Sequence, residues 1–239
     1  MFMILAVAVA LVSCGSDDSP KQATGQKAEK KKVVVPAFDG NAAYAYVKQQ
    51  CDFGPRVPGA KAHEDCAAWM VTTLRDFCDT VYEQDFMTRI YNGEGVEGKN
   101  IIGSFNPNAK KRIIVAAHWD SRPFADNDPD ELNWHKPIDG ANDGASGCGI
   151  MLEMAKVMKA NRIDDHLGVD LIFFDLEDYG PHADEAEKYY NDDVNYWALG
   201  SQYWAKHPHV YGYEAFYGIL LDMVGGSNPN FPKEYYSQG

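Results

Sequence analysis

The sequence predicts an α/β protein with a mixed, largely parallel central sheet flanked by helices. Three observations predict it. Beyond residue 110, runs that are apolar at almost every position read as strands buried on both faces. Amphipathic helical segments alternate with those runs, as crossovers between parallel strands require. Each apolar run also ends in acidic or imidazole side chains, and in open α/β sheets ligands bind beyond the carboxyl ends of the strands.

The elements follow in order. Asp39 to Gln50 reads as a helix capped by Asp39, with Ala42, Ala43, Tyr46 and Val47 on its apolar face. Phe53-Gly-Pro-Arg-Val-Pro-Gly59 is a rigid turn. His63 to Phe77 is a second helix, with Ala67, Met70, Val71, Leu74 and Phe77 at helical spacing. Thr80 to Tyr91 and Lys99 to Phe105 read as strands, and Arg112 to Ala117 as a buried one. The polar stretch Asp120 to Gly144, about 25 residues, exceeds the usual connection length; Trp134 and His135 within it suggest a pocket wall. Ala145 to Ala160 is a strong helix and Val169 to Phe174 a central parallel strand. Leu199 to Ala205 is a helix, and Tyr217 to Leu221 a buried strand ending at Asp222.

The N-terminus is organised differently. Met1 to Val12 is apolar and runs into Ser13-Cys14-Gly15, which resembles the lipobox of a bacterial lipoprotein. That resemblance implies removal of residues 1–13, a lipid on Cys14, and a cell-envelope protein facing the periplasm or the outside. The run is too short for an ordinary membrane span, and no Lys or Arg precedes it. Asp17 to Lys32 holds almost nothing to bury, so residues 14–35 read as a flexible tether before a domain from 36 to 239. The 22 Lys and Arg against 35 Asp and Glu give a net charge of −13, which repels phosphates and excludes nucleic acid as a partner. Besides Cys14 there are Cys51, Cys66, Cys78 and Cys148, an even number that permits disulfides. None has zinc-finger spacing.

The strand ends carry the chemistry. The first buried strand runs into His118-Trp119-Asp120, and the helix after the long loop is preceded by Gly140-Ala-Asn-Asp-Gly144. The next strand ends in Asp175-Leu-Glu-Asp178 and the last in Asp222. Convergent carboxylates repel one another and resist burial, so such a cluster needs a cation. Imidazole nitrogen with carboxylate oxygens is a typical zinc donor set; an all-oxygen set would suit Ca²⁺ or Mg²⁺. Asp120 can accept the second ring proton of His118. Of the neighbours Glu177 and Asp178, one can bind metal while the other acts as a base. Each residue alone has a plainer reading: Asp143 as a helix cap, Glu177-Asp178 as a solvated turn, Asp222 as a turn residue. Their joint occurrence favours the site.

These segments, with Ala117-His-Trp-Asp-Ser-Arg122, Leu199-Gly-Ser201 and Ile219-Leu-Leu-Asp-Met-Val-Gly225, resemble the M28 metallopeptidases, most closely the glutaminyl cyclase branch. The resemblance runs from about residue 40 to the end and implies a zinc-dependent exopeptidase-like α/β/α sandwich. It implies that Asp143 and Asp178 bind the cyclase zinc, with Asp178 standing where the cyclases usually have Glu. His118 and Asp222 resemble the ligands of the second metal of the peptidases, Glu177 the general acid/base and Asp120 the partner that orients His118. Ser227-Asn-Pro-Asn-Phe-Pro232 and the long loop after His118-Trp-Asp-Ser-Arg122 lean toward the cyclases. The family's final histidine ligand lies well beyond the position of Asp222, and His135, His182, His207 and His209 are elsewhere. The resemblance therefore implies that the C-terminal part of the domain is missing. The implied function is conversion of N-terminal glutamine of peptides to pyroglutamate with release of ammonia, using one Zn²⁺. The alternatives are a two-zinc aminopeptidase acting on peptide N-termini, and a non-catalytic envelope binding protein or inactive fragment.

Overall fold

The computed structural model describes residues 34–189 and 194–231. The expected signal segment, Cys14 and almost all of the expected tether lie outside the described residues, as does Pro232. The first helix, α1 (Gly40–Asp52), begins where Asp39 accepts hydrogen bonds from the amides of Asn41 and Ala42. The second, α2 (Lys61–Phe77), follows the Gly54–Gly59 turn. Strands β1 (Thr80–Arg89) and β2 (Gly95–Phe105) pair antiparallel as a hairpin. Then come β3 (Lys111–His118), the long loop with a short 3₁₀ turn at Glu131–Asn133, and α3 (Ala145–Ala160). Strand β4 (Leu167–Phe174) is followed by a 3₁₀ turn at Ala183–Glu185 and a one-turn helix, α4 (Ala186–Tyr189). Helix α5 (Leu199–Lys206) and strand β5 (Tyr217–Leu220) complete the described elements.

The strand order is β1-β2-β4-β3-β5. The sheet is mixed. β2 meets β4 antiparallel, whereas β3 lies parallel to β4 on one side and to β5 on the other. The α/β sandwich follows from the period-two alternation of the strands. Ile113, Val115 and Ala117, with Val169, Leu171 and Phe173, pack on Met70, Leu74, Met151 and Leu152 of α2 and α3. Ile102, Ala116 and Ile172 form a second, smaller cluster with Phe174 and Trp204, the latter on α5. Within the first layer, Gly149 of α3 lets α1 approach: a Cβ there would lie 2.7 Å from the Ala43 carbonyl oxygen.

Two expectations are corrected. Tyr217 to Leu221 reads as buried, yet β5 is exposed along its length, with Leu220 at 67%. Among the described residues it is the edge of the sheet and hydrogen-bonds to β3 alone, and an apolar run does not reveal how many neighbours a strand has. The four cysteines of the described region are free thiols. Cys66 lies within α2 and Cys78 caps it, and the intervening helix holds them about 18 Å apart, far beyond disulfide reach.

Candidate metal centre

Because β4, β3 and β5 are adjacent and parallel, their carboxyl ends lie side by side on one edge of the sheet. His118 is the last residue of β3, Asp222 follows β5, and Asp143 sits just before α3. One ligand atom from each of these residues falls within 4.8 Å of the others. His118 Nε2 is 2.8 Å from Asp143 Oδ1 and 3.6 Å from Asp222 Oδ1. The capping alternative for Asp143 does not hold, since the N-cap of α3 is Gly144 and no side chain bonds there.

Asp120 lies behind this trio and is fully buried. Its Oδ1 is 3.4 Å from His118 Nδ1, and its two oxygens accept hydrogen bonds from the amides of Glu177 and Asp178, both at 3.1 Å. One carboxylate thus joins the end of β3 to the segment after β4. Burial opposes ionisation of Asp120, but the bonds from His118 and the two amides outweigh it and hold its pKa below the ordinary range.

Asp178 is not in the 4.8 Å trio. It is buried, with Oδ1 3.4 Å from Arg122 Nη1. Burial, then the charge of Asp143, pushes its carboxyl up to about 7, against the pull of Arg122. Glu177 is half-buried, and burial likewise pushes its carboxyl up to about 7. The charge of His118 opposes that shift, and those of Asp120, Asp222 and Asp143 add to it.

The donor set fits a metal ion. Burial disfavours a charged His118, yet hydrogen bonds to Asp120, Asp143 and Asp222 overcome it and raise its proton affinity. The carboxylates therefore require positive charge among them, and a divalent ion meets that requirement with nitrogen and oxygen donors suited to zinc. His118, Asp143 and Asp222 can coordinate a single zinc ion.

Two arginines shape the surroundings, and the sequence marks neither beyond its place in a motif. Arg56, fully buried in the Gly54–Gly59 turn, donates to the carbonyls of Trp119, Asp139 and Gly140 at 2.9, 2.7 and 2.9 Å. It thereby ties together both ends of the long loop. Arg122 pairs with Asp126 and donates to the Pro181 carbonyl at 3.0 Å, joining that loop to the segment after Asp178. Trp134 and His135, expected in a pocket wall, pack around His182, with His135 stacked on it at 4.6 Å. His207 stacks on Tyr203 and His209 lies near Trp204 and Asp170, so none of these histidines enters the trio.

A helix-flanked mixed sheet with histidine and carboxylates gathered at its parallel edge is the architecture of a zinc-dependent exopeptidase. Residues 100–239 match peptidase family M28, and the chain belongs to that family. It is similar to the Bacteroides thetaiotaomicron glutaminyl cyclase, solved bound to N-acetylhistamine: 50% identity, TM-score 0.76, covering 85% of this chain and 68% of that one. It is equally similar in sequence to a leucine aminopeptidase precursor of the same organism: 50% identity, TM-score 0.73, covering 82% and 66%. Among curated proteins it is 32% identical over 149 residues to the glutaminyl-peptide cyclotransferase of Gloydius blomhoffii, across 56% of this chain. The match spans only 38% of that relative's length.

Proposed function

We propose that this protein acts on peptide N-termini as a zinc-dependent glutaminyl-peptide cyclotransferase, closing N-terminal glutamine to pyroglutamate with loss of ammonia. The observation that carries the reading is the half-buried Glu177, whose amide is bonded to the same Asp120 carboxylate that reaches the ring of His118 in the donor cluster. Cyclisation requires a group that takes a proton from an amine and then gives one to a leaving nitrogen. A carboxyl that titrates near the working pH does both. In this reading the α-amine of the substrate attacks its own side-chain amide carbon. Glu177 accepts the amine proton as the C–N bond forms and returns it to the departing ammonia.

His118, Asp143 and Asp222 would hold the ion, and the resemblance to the M28 family supports Asp178 as a further ligand. Zinc bound there supplies positive charge that polarises the amide oxygen of the substrate. Asp120 keeps the His118 ring in place and, through the Glu177 amide, the backbone of the proton carrier. The neighbourhood to bovine, insect and snake cyclotransferases supports the glutamine substrate.

A second reading, aminopeptidase action with two metal ions, is favoured by one observation: the leucine aminopeptidase precursor is as similar in sequence to this chain, at 50% identity, as the glutaminyl cyclase of the same organism. Zinc-loaded protein offered glutamine-leading and leucine-leading peptides separates the two. Ammonia release from the glutamine peptide alone is expected, and the Glu177→Gln variant should keep its zinc and lose about 10²–10⁴-fold in turnover. Cleavage of the leucine peptide would replace the first reading by the second; wild-type turnover in zinc-replete Glu177→Gln would remove Glu177 from the mechanism.

We also propose that the protein is a lipid-anchored envelope protein attached through Cys14. The Leu11-Val12-Ser13-Cys14 segment supports it. Among the described residues no helix is long and apolar enough to cross a membrane.

A further inference from the structure

We infer that His63, on α2, is a positioning residue for Glu177: through Asp175 it fixes the corner at Leu176 that presents Glu177 to the metal centre. The inference rests on the reading of Glu177 as proton carrier. Its structural half stands without that reading.

The corner is unusual in its backbone. Leu176 has φ of +52°, in the left-handed region where a Cβ meets the following carbonyl, and leucine has no side-chain polar atom to offset the cost. Such a conformation persists only where its surroundings over-determine it. Here they do so through Asp175, which is fully buried. Its Oδ1 accepts the Leu176 amide at 2.8 Å and its Oδ2 the Lys99 amide at 2.7 Å. His63 Nε2 lies 3.0 Å from both oxygens. Each carboxyl oxygen thus meets a backbone amide, and the His63 ring nitrogen is the side-chain partner shared by both.

His63 is itself held. It is 6% exposed, and its ring stacks on Trp119 at 4.2 Å and 21°. Trp119 donates to the Lys99 carbonyl at 3.0 Å, closing a circuit from α2 through β2 to the segment after β4. Beyond the corner, the amides of Gly200, Leu199 and Ala198 bond to the carbonyls of Asp175, Leu176 and Glu177 in turn. The Glu177 and Asp178 amides bond to Asp120. The backbone of Glu177 is therefore gripped on one side by Asp120 and Ala198, and set in direction by the turn that Asp175 holds. The imidazole is the one side chain among the described hydrogen bonds that meets the Asp175 carboxyl group. Without it, Asp175 stays buried with only backbone amides as donors and is free to rotate away from Leu176.

The test compares His63→Phe, which keeps a ring against Trp119 and removes the donor, with His63→Gln, which keeps an N–H donor and removes the ring. Amide hydrogen exchange is measured in the full chain. In His63→Phe the amides of Leu176, Glu177 and Asp178 are expected to exchange at least tenfold faster relative to those of Val115 and Leu171. In His63→Gln they should return to within about threefold of wild type. Equal acceleration at the corner and at Val115 and Leu171, or no rescue by Gln, would show that His63 serves general stability and overturn the inference. Should His63→Phe not fold, Asp175→Asn carries the same comparison. Loss of one of the two oxygen acceptors should loosen the same three amides preferentially, and a uniform change would again overturn the proposal. With a glutamine-leading peptide, kcat should fall at least tenfold in His63→Phe with KM within threefold; a fall in KM alone contradicts the positioning role. If the wild-type chain cyclises no peptide, the functional reading fails and the exchange result still decides the role of His63.

Discussion

Asp120 reaches His118 with the same carboxylate that receives the backbone of Glu177, at 3.4 Å from the ring nitrogen and 3.1 Å from the amide. His118 and Glu177, the proposed ligand and proton carrier, are therefore not positioned independently. A change at Asp120 acts on both through one buried group.

This relationship sets the first prediction. Asp120→Ala should lower zinc affinity by about 10–100-fold, the usual effect of removing the partner that orients a ligating imidazole. It should also leave the Glu177 and Asp178 amides without their acceptor. Zinc titration by calorimetry or a competing chelator measures the effect. Affinity within twofold of wild type would mean that His118 is held by other contacts.

A second prediction concerns the opposite end of the sheet. Asp170 is fully buried and receives Arg112 Nη2 at 2.6 Å and Nε at 2.7 Å, Ser104 at 2.7 Å and Tyr213 at 2.6 Å. Burial would raise its pKa, but the hydrogen bonds from Arg112, Tyr213 and Ser104 outweigh it and hold the carboxyl below its ordinary value. The sign follows from linkage. A depressed folded-state pKa contributes stability that is complete above the unfolded value of about 3.9 and is lost as pH falls through the folded value. Asp170→Asn should cost about 3–5 kcal/mol at neutral pH, because it leaves Arg112 buried without a counter-charge. The variant should also lose less stability than wild type below about pH 4. Urea unfolding at pH 7 and at acid pH tests both parts, and parallel pH profiles would exclude Asp170 as the source.

Localisation supplies the third. Cys14→Ser should move the protein from the membrane to the soluble fraction of the envelope, because lipidation needs the thiol. Unchanged membrane fractionation of an exported variant would rule out the anchor.

The sequence carries a good part of this arrangement. Helix α3 is read to the residue, since Ala145 to Ala160 combines apolar spacing with a Gly-rich entry. The meeting of His118, Asp143 and Asp222 follows from parallel strands ending in polar groups. What stays hidden is partnership across the chain. Asp178 meets Arg122, 56 residues away, and His63 meets Asp175 across 112. Neither pair leaves a periodic trace, because such contacts depend on which helix lies over which strand. The start of β2 is hidden for a different reason: Gly95-Val-Glu-Gly98 has little strand propensity and pairs only because β1 runs beside it. Asp175 itself reads as one more acid in Asp-Leu-Glu-Asp, yet its chemistry is to hold a turn.

The last prediction joins the loop to the metal centre through Gly144. This residue has φ of +92°, which an L side chain rarely adopts. A Cβ placed on it would lie 2.7 Å from the Asp120 carbonyl oxygen and 3.1 Å from His118 Cε1. Both neighbours are buried, and one is a backbone atom, so neither can give way by a simple rotation. Gly144→Ala should therefore cost more than about 1 kcal/mol of stability, the penalty expected for alanine at positive φ before any contact is counted. It should also move His118 relative to Asp143, since the strained peptide joins Asp143 to the first residue of α3. Zinc affinity is then expected to fall together with stability. Gly59, also at positive φ (+85°) with nothing within 4 Å of a Cβ placed on it, provides the control. Gly59→Ala should cost stability through its backbone conformation alone, and its effect on zinc should be smaller because no residue of the metal centre lies against it. Chemical denaturation and zinc titration of the two variants, side by side, measure both quantities. Equal loss of zinc affinity in the two would mean that the loss of stability, and not the contact of Gly144 with His118, lowers the affinity.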